Sequence, residues 1–160
     1  MEIVGRIPQH LALIPDGNRR WARARGYTAT EGHQAGIRQV GRVVAAAWEA
    51  GVSTVTFWWG SPANLRLRDP EEVQGIIRVL SDWLQEEGGA LVEQHRAHFE
   101  AIGRWRELCP GLEQPIQKIP ALQGPKRLVL LMAYDGREEL QEAARHYHVS
   151  GGQGHLEDYL

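Results

Sequence analysis

His10-Leu11-Ala12-Leu13-Ile14-Pro15-Asp16-Gly17-Asn18-Arg19-Arg20-Trp21-Ala22-Arg23-Ala24-Arg25-Gly26 is the stretch from which the fold can be read. Its first half is a short apolar run, which predicts a buried β-strand. Pro15 stops the strand, because proline has no N–H to give to a ladder. Asp16-Gly17-Asn18 is turn chemistry. The residues after it are helix formers that carry Arg19, Arg20, Arg23 and Arg25. Open α/β sheets bind ligands just beyond the carboxyl ends of their strands, and a helix N-terminus offers N–H groups and a positive dipole end to a phosphate. Asp16 at such a place suits Mg²⁺, which takes one or two carboxylates together with phosphate oxygens of its ligand. The simpler alternative is that Asp16 only shapes the turn and the arginines form a solvated helix face.

Outward from this stretch, strand and helix patterns alternate. Tyr27 to Gly32 reads as a loop, and His33 opens a helix whose apolar face is Ile37, Val40, Val43, Val44, Ala47 and Trp48. Gly51 ends it. Val52 to Trp59 is β-branched and aromatic, a second strand, followed by a loop, Gly60 to Asn64. Asp69-Pro70-Glu71-Glu72 is a helix start, with Asp69 as cap, Pro70 at the first helical position and Glu72 three residues after the cap. Val73, Ile76, Ile77, Leu80 and Leu84 give that helix an apolar stripe flanked by Trp83; Gly88-Gly89 interrupts or bends it before Ala90 to Ala97. His98 to Ile102 reads as a third strand. Four prolines between Arg104 and Lys126 leave room for one short helix. Arg127 to Ala133 is a fourth strand, apolar enough to be buried on both faces. Gly136 to Tyr147 is a helix with Leu140, Ala143, Ala144 and Tyr147 inward. After the Gly-rich link at 150–154, His155 to Leu160 begins another helix. This alternation predicts an α/β fold, a mostly parallel sheet with helices on both faces.

Composition narrows the function classes. With 42% hydrophobic and 24% charged residues the chain has the balance of a globular domain, and 160 residues suffice for a real core. A net charge of −2 gives no general surface for nucleic acid, so a phosphate site must be local. The single cysteine, Cys109, excludes an internal disulfide and a Cys-rich zinc site. No apolar run is long enough to span a bilayer, and Met1 to Gln9 lack the pattern of a signal peptide. The expectation is a cytoplasmic protein, with peripheral contact to a membrane surface left open. His146, His148 and His155 straddle the Gly-rich link and read as solvated rather than as metal ligands. Nucleophile-elbow, P-loop and dinucleotide fingerprints do not occur.

Three further segments fall at or near the carboxyl ends of expected strands. They are Gly32-His33-Gln34-Ala35-Gly36, Ser61-Pro62-Ala63-Asn64 with Arg66 and Arg68 behind it, and Tyr134-Asp135-Gly136-Arg137. Each has a plain structural alternative: a helix cap, a polar loop, and an ion pair of Arg137 with Glu138 or Glu139.

Taken together, D-G-N-x-R-W-A-x-x-R-G at 16–26, G-H-x-x-G at 32–36, the S-x-x-N of 61–64 and the Y-x-G-R of 134–137 resemble the signatures of the cis-prenyltransferases, the undecaprenyl diphosphate synthase family. The departures are Pro15 for methionine, Ala29 for an arginine, Ala63 for glutamate, Leu65 for tryptophan, and Ala133 and Asp135 in the last motif. The resemblance implies condensation of isopentenyl diphosphate with an allylic diphosphate such as farnesyl diphosphate, to give a Z-polyprenyl diphosphate. It implies Asp16, Asn64, His33 and Ser61 as candidate catalytic residues and Asp16 as the Mg²⁺ ligand. Gly17, Asn18, Arg19, Arg20, Trp21, Arg68 and Arg137 would bind diphosphate and substrate. An apolar tunnel between the sheet and the helices at Val73 to Ala90 would hold the product, and the working form would be a homodimer or heteromer. Residues 1–160 are then one such domain that stops short of the family's C-terminal end, since nothing after Tyr147 matches the arginine–glycine–arginine–serine segment that binds isopentenyl diphosphate. Two alternatives stay open: a non-catalytic prenyl-diphosphate-binding subunit, and an enzyme that ionises an allylic diphosphate without elongating it.

Overall fold

The computed structural model describes residues 6–160; residues 1–5, part of the N-terminal stretch expected to carry no signal peptide, lie outside them. Four parallel strands form one sheet in the order β1-β2-β4-β3, with β1 at His10–Leu13, β2 at Thr54–Gly60, β3 at His98–Ile102 and β4 at Arg127–Met132. Position in that order decides burial. The two inner strands carry consecutive buried residues, Val55-Thr56-Phe57 and Leu128-Val129-Leu130. Successive side chains point to opposite faces, so both faces are covered there. Helices flank the sheet. β1 corrects an expectation: it is an edge strand, only half-buried, and Ile14 beyond it is 73% exposed.

Helix α1, Asn18–Arg23, follows the Asp16-Gly17 turn, and α2, Ala29–Glu49, packs across it. The α2 start lies four residues before the expected one. Thr28 and Glu31 make a reciprocal capping box that closes the first turn. Ile37, Val40, Val44, Ala47 and Trp48 are buried as expected, whereas Val43 is 41% exposed. Ser61 and Asn64 form a second capping box, which starts α3, Pro62–Leu67, inside the segment expected to be loop.

Helix α4, Pro70–Trp83, begins as expected with the Asp69 carboxylate accepting from the Glu71 and Glu72 N–H groups. Its stripe of Val73, Ile76, Ile77, Leu80 and Leu84 is core, packed with α2 residues and the sheet. Gly88-Gly89 does not break the helix; a π turn, Leu84–Gly88, leads straight into α5, Gly89–Gln94. The proline-rich connection holds two short helices, α6 at Trp105–Leu108 and α7 at Glu113–Gln117, joined by a 3₁₀ turn. In α8, Gly136–Val149, Ala143 is buried, but Leu140 is 52% exposed and Ala144 is also exposed, against expectation. The last residues make a 3₁₀ turn, Leu156–Tyr159, rather than a new helix.

Candidate functional site

The site is built on the contact between α1 and α2. Gly17 adopts φ 93°, the left-handed region that a side chain would oppose, and so turns the chain from β1 into α1. A Cβ on Gly32 would meet the Asn18 carbonyl oxygen at 2.4 Å, and one on Gly36 would meet the Asn18 side-chain oxygen at 2.7 Å. These two glycines let α2 lie directly on the first turn of α1, which brings His33 to Asn18.

Pro15, Asp16, Gly17, Asn18, Arg19, Arg20, His33 and Arg68 line one polar cavity of about 240 Å³. Asp16 is exposed; its carboxylate accepts from the Gly17 N–H and pairs with Arg20 at 2.8 Å. The Gly17 N–H and then the Arg20 guanidinium hold its carboxyl below the usual carboxylate range. Asp16 is therefore ionised at neutral pH. His33 is buried, and burial depresses its pKa against the opposing pull of Glu72. Its Nδ1 lies 3.4 Å from the Asn18 amide nitrogen and its Nε2 lies 3.5 Å from the Glu72 carboxylate. Arg19 reaches the same carboxylate at 3.8 Å.

A second, apolar cavity of about 520 Å³ runs from this point along α2. Leu13, Ile14, Trp21, Ala35, Val40, Val43 and Phe57 help to line it, and it shares Pro15, Asp16, Gly17 and Asn18 with the polar cavity. None of its lining comes from α4. The apolar stripe of α4 is part of the core, and this cavity borders Ala35, Val40 and Val43 of α2. The exposure of Val43 is explained by the same fact: it faces the cavity.

The expected site residues thus divide. Asp16, Gly17, Asn18, Arg19, Arg20, His33 and Arg68 meet around the polar cavity, with Trp21 on the apolar one. Arg68, not Arg66, is the arginine behind Asn64 that lines the polar cavity. Ser61 Oγ and Asn64 Oδ1 accept from each other's backbone N–H groups, and neither residue lines these two cavities; Ser61 lines a third, with Leu13, Ile14 and Tyr134. Their capping box instead sets α3, whose C-cap is Arg68. Arg137 stands exposed at the start of α8 and lines neither of the first two cavities, although its neighbours Tyr134, Asp135 and Gly136 share the third with Leu13 and Ile14. The alternative, an ion pair of Arg137 with Glu138 or Glu139, is not formed either; Glu138 pairs with Arg104 and Glu139 accepts from Tyr134. One residue that sequence reasoning missed is Glu72. Its place three after the Asp69 cap suggested a capping role, yet its carboxylate turns to His33 and Arg19.

Among the described residues no group of three or more His, Cys, Asp or Glu is arranged to hold a metal ion. A single ionised carboxylate fits a cation that keeps water or ligand phosphate for its other positions, as Mg²⁺ does. Among the described residues no helix is long and apolar enough to cross a membrane.

The profile of the undecaprenyl diphosphate synthase family of prenyltransferases matches residues 14–158. A bifunctional CrtB/UppS protein of Streptomyces coelicolor is 37% identical over 144 residues, covering 88% of this chain and 25% of that protein. An isoprenyl transferase of Thermus thermophilus is 35% identical over 147 residues, covering 88% of this chain and 55% of that protein. The chain therefore spans about half the length, or less, of these curated relatives. The crystal structure of lavandulyl diphosphate synthase from Lavandula x intermedia, in complex with dimethylallyl diphosphate, superposes with a TM-score of 0.87 at 32% identity, covering 96% of this chain and 71% of that one. With the family profile across nearly the whole chain and a 32% identical structure of the same architecture, the protein is a member of the undecaprenyl diphosphate synthase family of prenyltransferases.

Proposed function

We propose that this chain carries the allylic-diphosphate half of a Mg²⁺-dependent cis-prenyltransferase, which condenses isopentenyl diphosphate with an allylic diphosphate such as farnesyl diphosphate. One observation carries the reading. A small basic cavity and a larger apolar one adjoin at Pro15, Asp16, Gly17 and Asn18, which line both, an arrangement suited to a molecule with an anionic head and a hydrocarbon tail. A solved relative that is 32% identical holds dimethylallyl diphosphate, an allylic diphosphate, which supports the same class of ligand here.

Arg19, Arg20 and Arg68 bind and orient the diphosphate by charge-assisted hydrogen bonds. Asp16 would hold Mg²⁺, and the ion would supply positive charge for a departing pyrophosphate. The apolar walls, Trp21, Val40, Val43 and Phe57 among them, keep water from the electron-poor allylic carbon. His33, neutral at pH 7 because it is buried, orients Asn18 at the head–tail junction and is placed to accept a proton there. Ser61 and Asn64 act indirectly by capping α3 and so placing Arg68. The isopentenyl half is completed from outside these residues, by further sequence or by a second chain in a homodimer or heteromer.

The test is incubation with labelled isopentenyl diphosphate and farnesyl diphosphate, with Mg²⁺ or with chelator, for the protein and for Asp16→Ala. Mg²⁺-dependent butanol-extractable product that is lost in the variant supports the reading. Binding of farnesyl diphosphate without turnover makes the chain a prenyl-diphosphate-binding subunit. Consumption of farnesyl diphosphate with no isopentenyl incorporation makes it an allylic-diphosphate enzyme without elongation.

A further inference from the structure

Glu72 lies on α4, outside the sequence motifs, yet its side chain is only 15% exposed and is directed at His33 and Arg19. The hydrogen-bonding inventory of the three groups in a row allows one arrangement. A carboxylate only accepts, so the His33 nitrogen 3.5 Å away, Nε2, must carry the proton. A neutral imidazole then has a bare Nδ1, which can only accept. The Asn18 atom 3.4 Å from Nδ1 must accordingly be the amide nitrogen, and the Asn18 carbonyl oxygen is the end of that amide not spent on His33. The opposite amide orientation would set an acceptor against Nδ1 and force its proton there. A bare Nε2 would then face the carboxylate, two acceptors in contact. The amide lies against Gly36, where an added Cβ would meet its oxygen at 2.7 Å and its nitrogen at 2.9 Å.

We infer that Glu72 is a positioning residue: it fixes the tautomer of His33, and through it the direction of the Asn18 amide at the junction of the polar and apolar cavities. The inference rests on the proposed site for its catalytic meaning, but the tautomer itself does not. The charged groups that face His33 are Glu72 from α4, Arg19 from α1 and Arg68 from the end of α3. Glu72 is the one acceptor among them, so no other charged neighbour can replace it. Protonation of His33 puts a hydrogen on Nδ1 and reverses the Asn18 amide, which links the geometry of the junction to pH.

The experiment is long-range ¹H–¹⁵N NMR of the imidazoles in the full chain, with the His33 signals assigned by comparison with His33→Gln. It is applied to the unmodified protein, Glu72→Gln and Glu72→Leu. The unmodified protein is expected to show the Nε2–H tautomer at neutral pH. Glu72→Gln keeps it, because the glutamine carbonyl still accepts, whereas Glu72→Leu shifts His33 towards Nδ1–H. In the turnover assay Glu72→Leu should lower kcat by about tenfold to a hundredfold, the cost usual for losing a partner that orients a functional histidine. KM should change much less, and Glu72→Gln should restore most of the rate. An Nδ1–H tautomer in the unmodified protein overturns the inference, and so does an unchanged tautomer in Glu72→Leu. If Glu72→Leu does not fold, the tautomer of the unmodified protein decides alone. If no form of the protein turns over prenyl diphosphates, the proposed function fails while the NMR result still decides the role of Glu72.

Discussion

Replacing Gly32 by alanine tests the α1–α2 contact on which the site is built. An added Cβ would lie 2.4 Å from the Asn18 carbonyl oxygen and 2.8 Å from the Ala22 Cβ, where ordinary contact begins at 3.4 Å. Both atoms belong to α1, one is backbone, and Ala22 is buried, so no flexible side chain can absorb the overlap. To restore contact distance α1 must withdraw by about 1 Å, the difference between 3.4 and 2.4 Å. Overpacking of this kind costs about 1–3 kcal/mol. Replacing glycine by alanine within a helix returns roughly 1 kcal/mol, so the net loss of stability is only about 0–2 kcal/mol. The functional loss is expected to be larger. α1 carries Arg19 and Arg20, and a displacement of about 1 Å in a positioned group costs about a hundredfold in rate. The assay pairs urea unfolding with Mg²⁺-dependent prenyl transfer, and Gly89→Ala is the control, since a Cβ there meets nothing closer than 3.6 Å. The control should keep its activity and gain stability by up to about 1 kcal/mol. A Gly32→Ala protein with unimpaired activity would refute the close-approach argument.

Three further outcomes follow from the same structure. Thr28→Ala removes the capping box of α2 and should lower unfolding stability by about 1 kcal/mol, read from the urea midpoint at constant slope. Burial holds the folded His33 pKa below that of the unfolded chain, so its contribution to stability is complete above about pH 6.5 and is lost as pH falls. Urea midpoints across about pH 5 to 8 should therefore drop on the acid side, and by less in His33→Gln. The Cys109 thiol is buried and pushed up to about 11 by desolvation. It should stay unreactive to a thiol reagent in the native protein and react at once in denaturant; rapid native labelling would contradict its placement.

What the sequence made legible depended on the range of the interaction. The reading of His98 to Ile102 as a strand matches β3 to the residue, and periodicity located the core of α4, because the Val73–Leu84 stripe repeats at helical spacing and Asp69-Pro70 marks its start. Val43 belongs to the same periodic face in α2 yet borders a cavity. Periodicity says which residues share a face, not what lies opposite. β1 looked buried from its composition, but its place at the edge is a property of strand order, which is decided by pairings far apart in sequence. At the site, residues contiguous with the turn came together as expected, from Asp16 to Arg20. His33 joined them through a contact that the glycines at 32 and 36 make possible. Ser61 and Asn64 carried a capping-box signature, S-x-x-N, and the Ser61 Oγ and Asn64 Oδ1 form that box. Glu72 escaped notice because a helix-start glutamate has an ordinary local explanation. Its actual partner lies 39 positions away.

In the proposed function one ligand spans both cavities, its diphosphate among Arg19, Arg20 and Arg68 and its hydrocarbon tail along α2. The direct measurement is calorimetric titration, with Mg²⁺ present, of inorganic pyrophosphate and of a non-hydrolysable farnesyl diphosphate analogue into the protein and into Val43→Asp, whose added charge falls in the apolar cavity. The farnesyl compound is expected to bind at least about tenfold more tightly than pyrophosphate, a difference of about 1.4 kcal/mol. Val43→Asp should erase that advantage and leave pyrophosphate binding unchanged. Equal affinity for the two ligands, or a farnesyl advantage that survives Val43→Asp, would contradict the proposal.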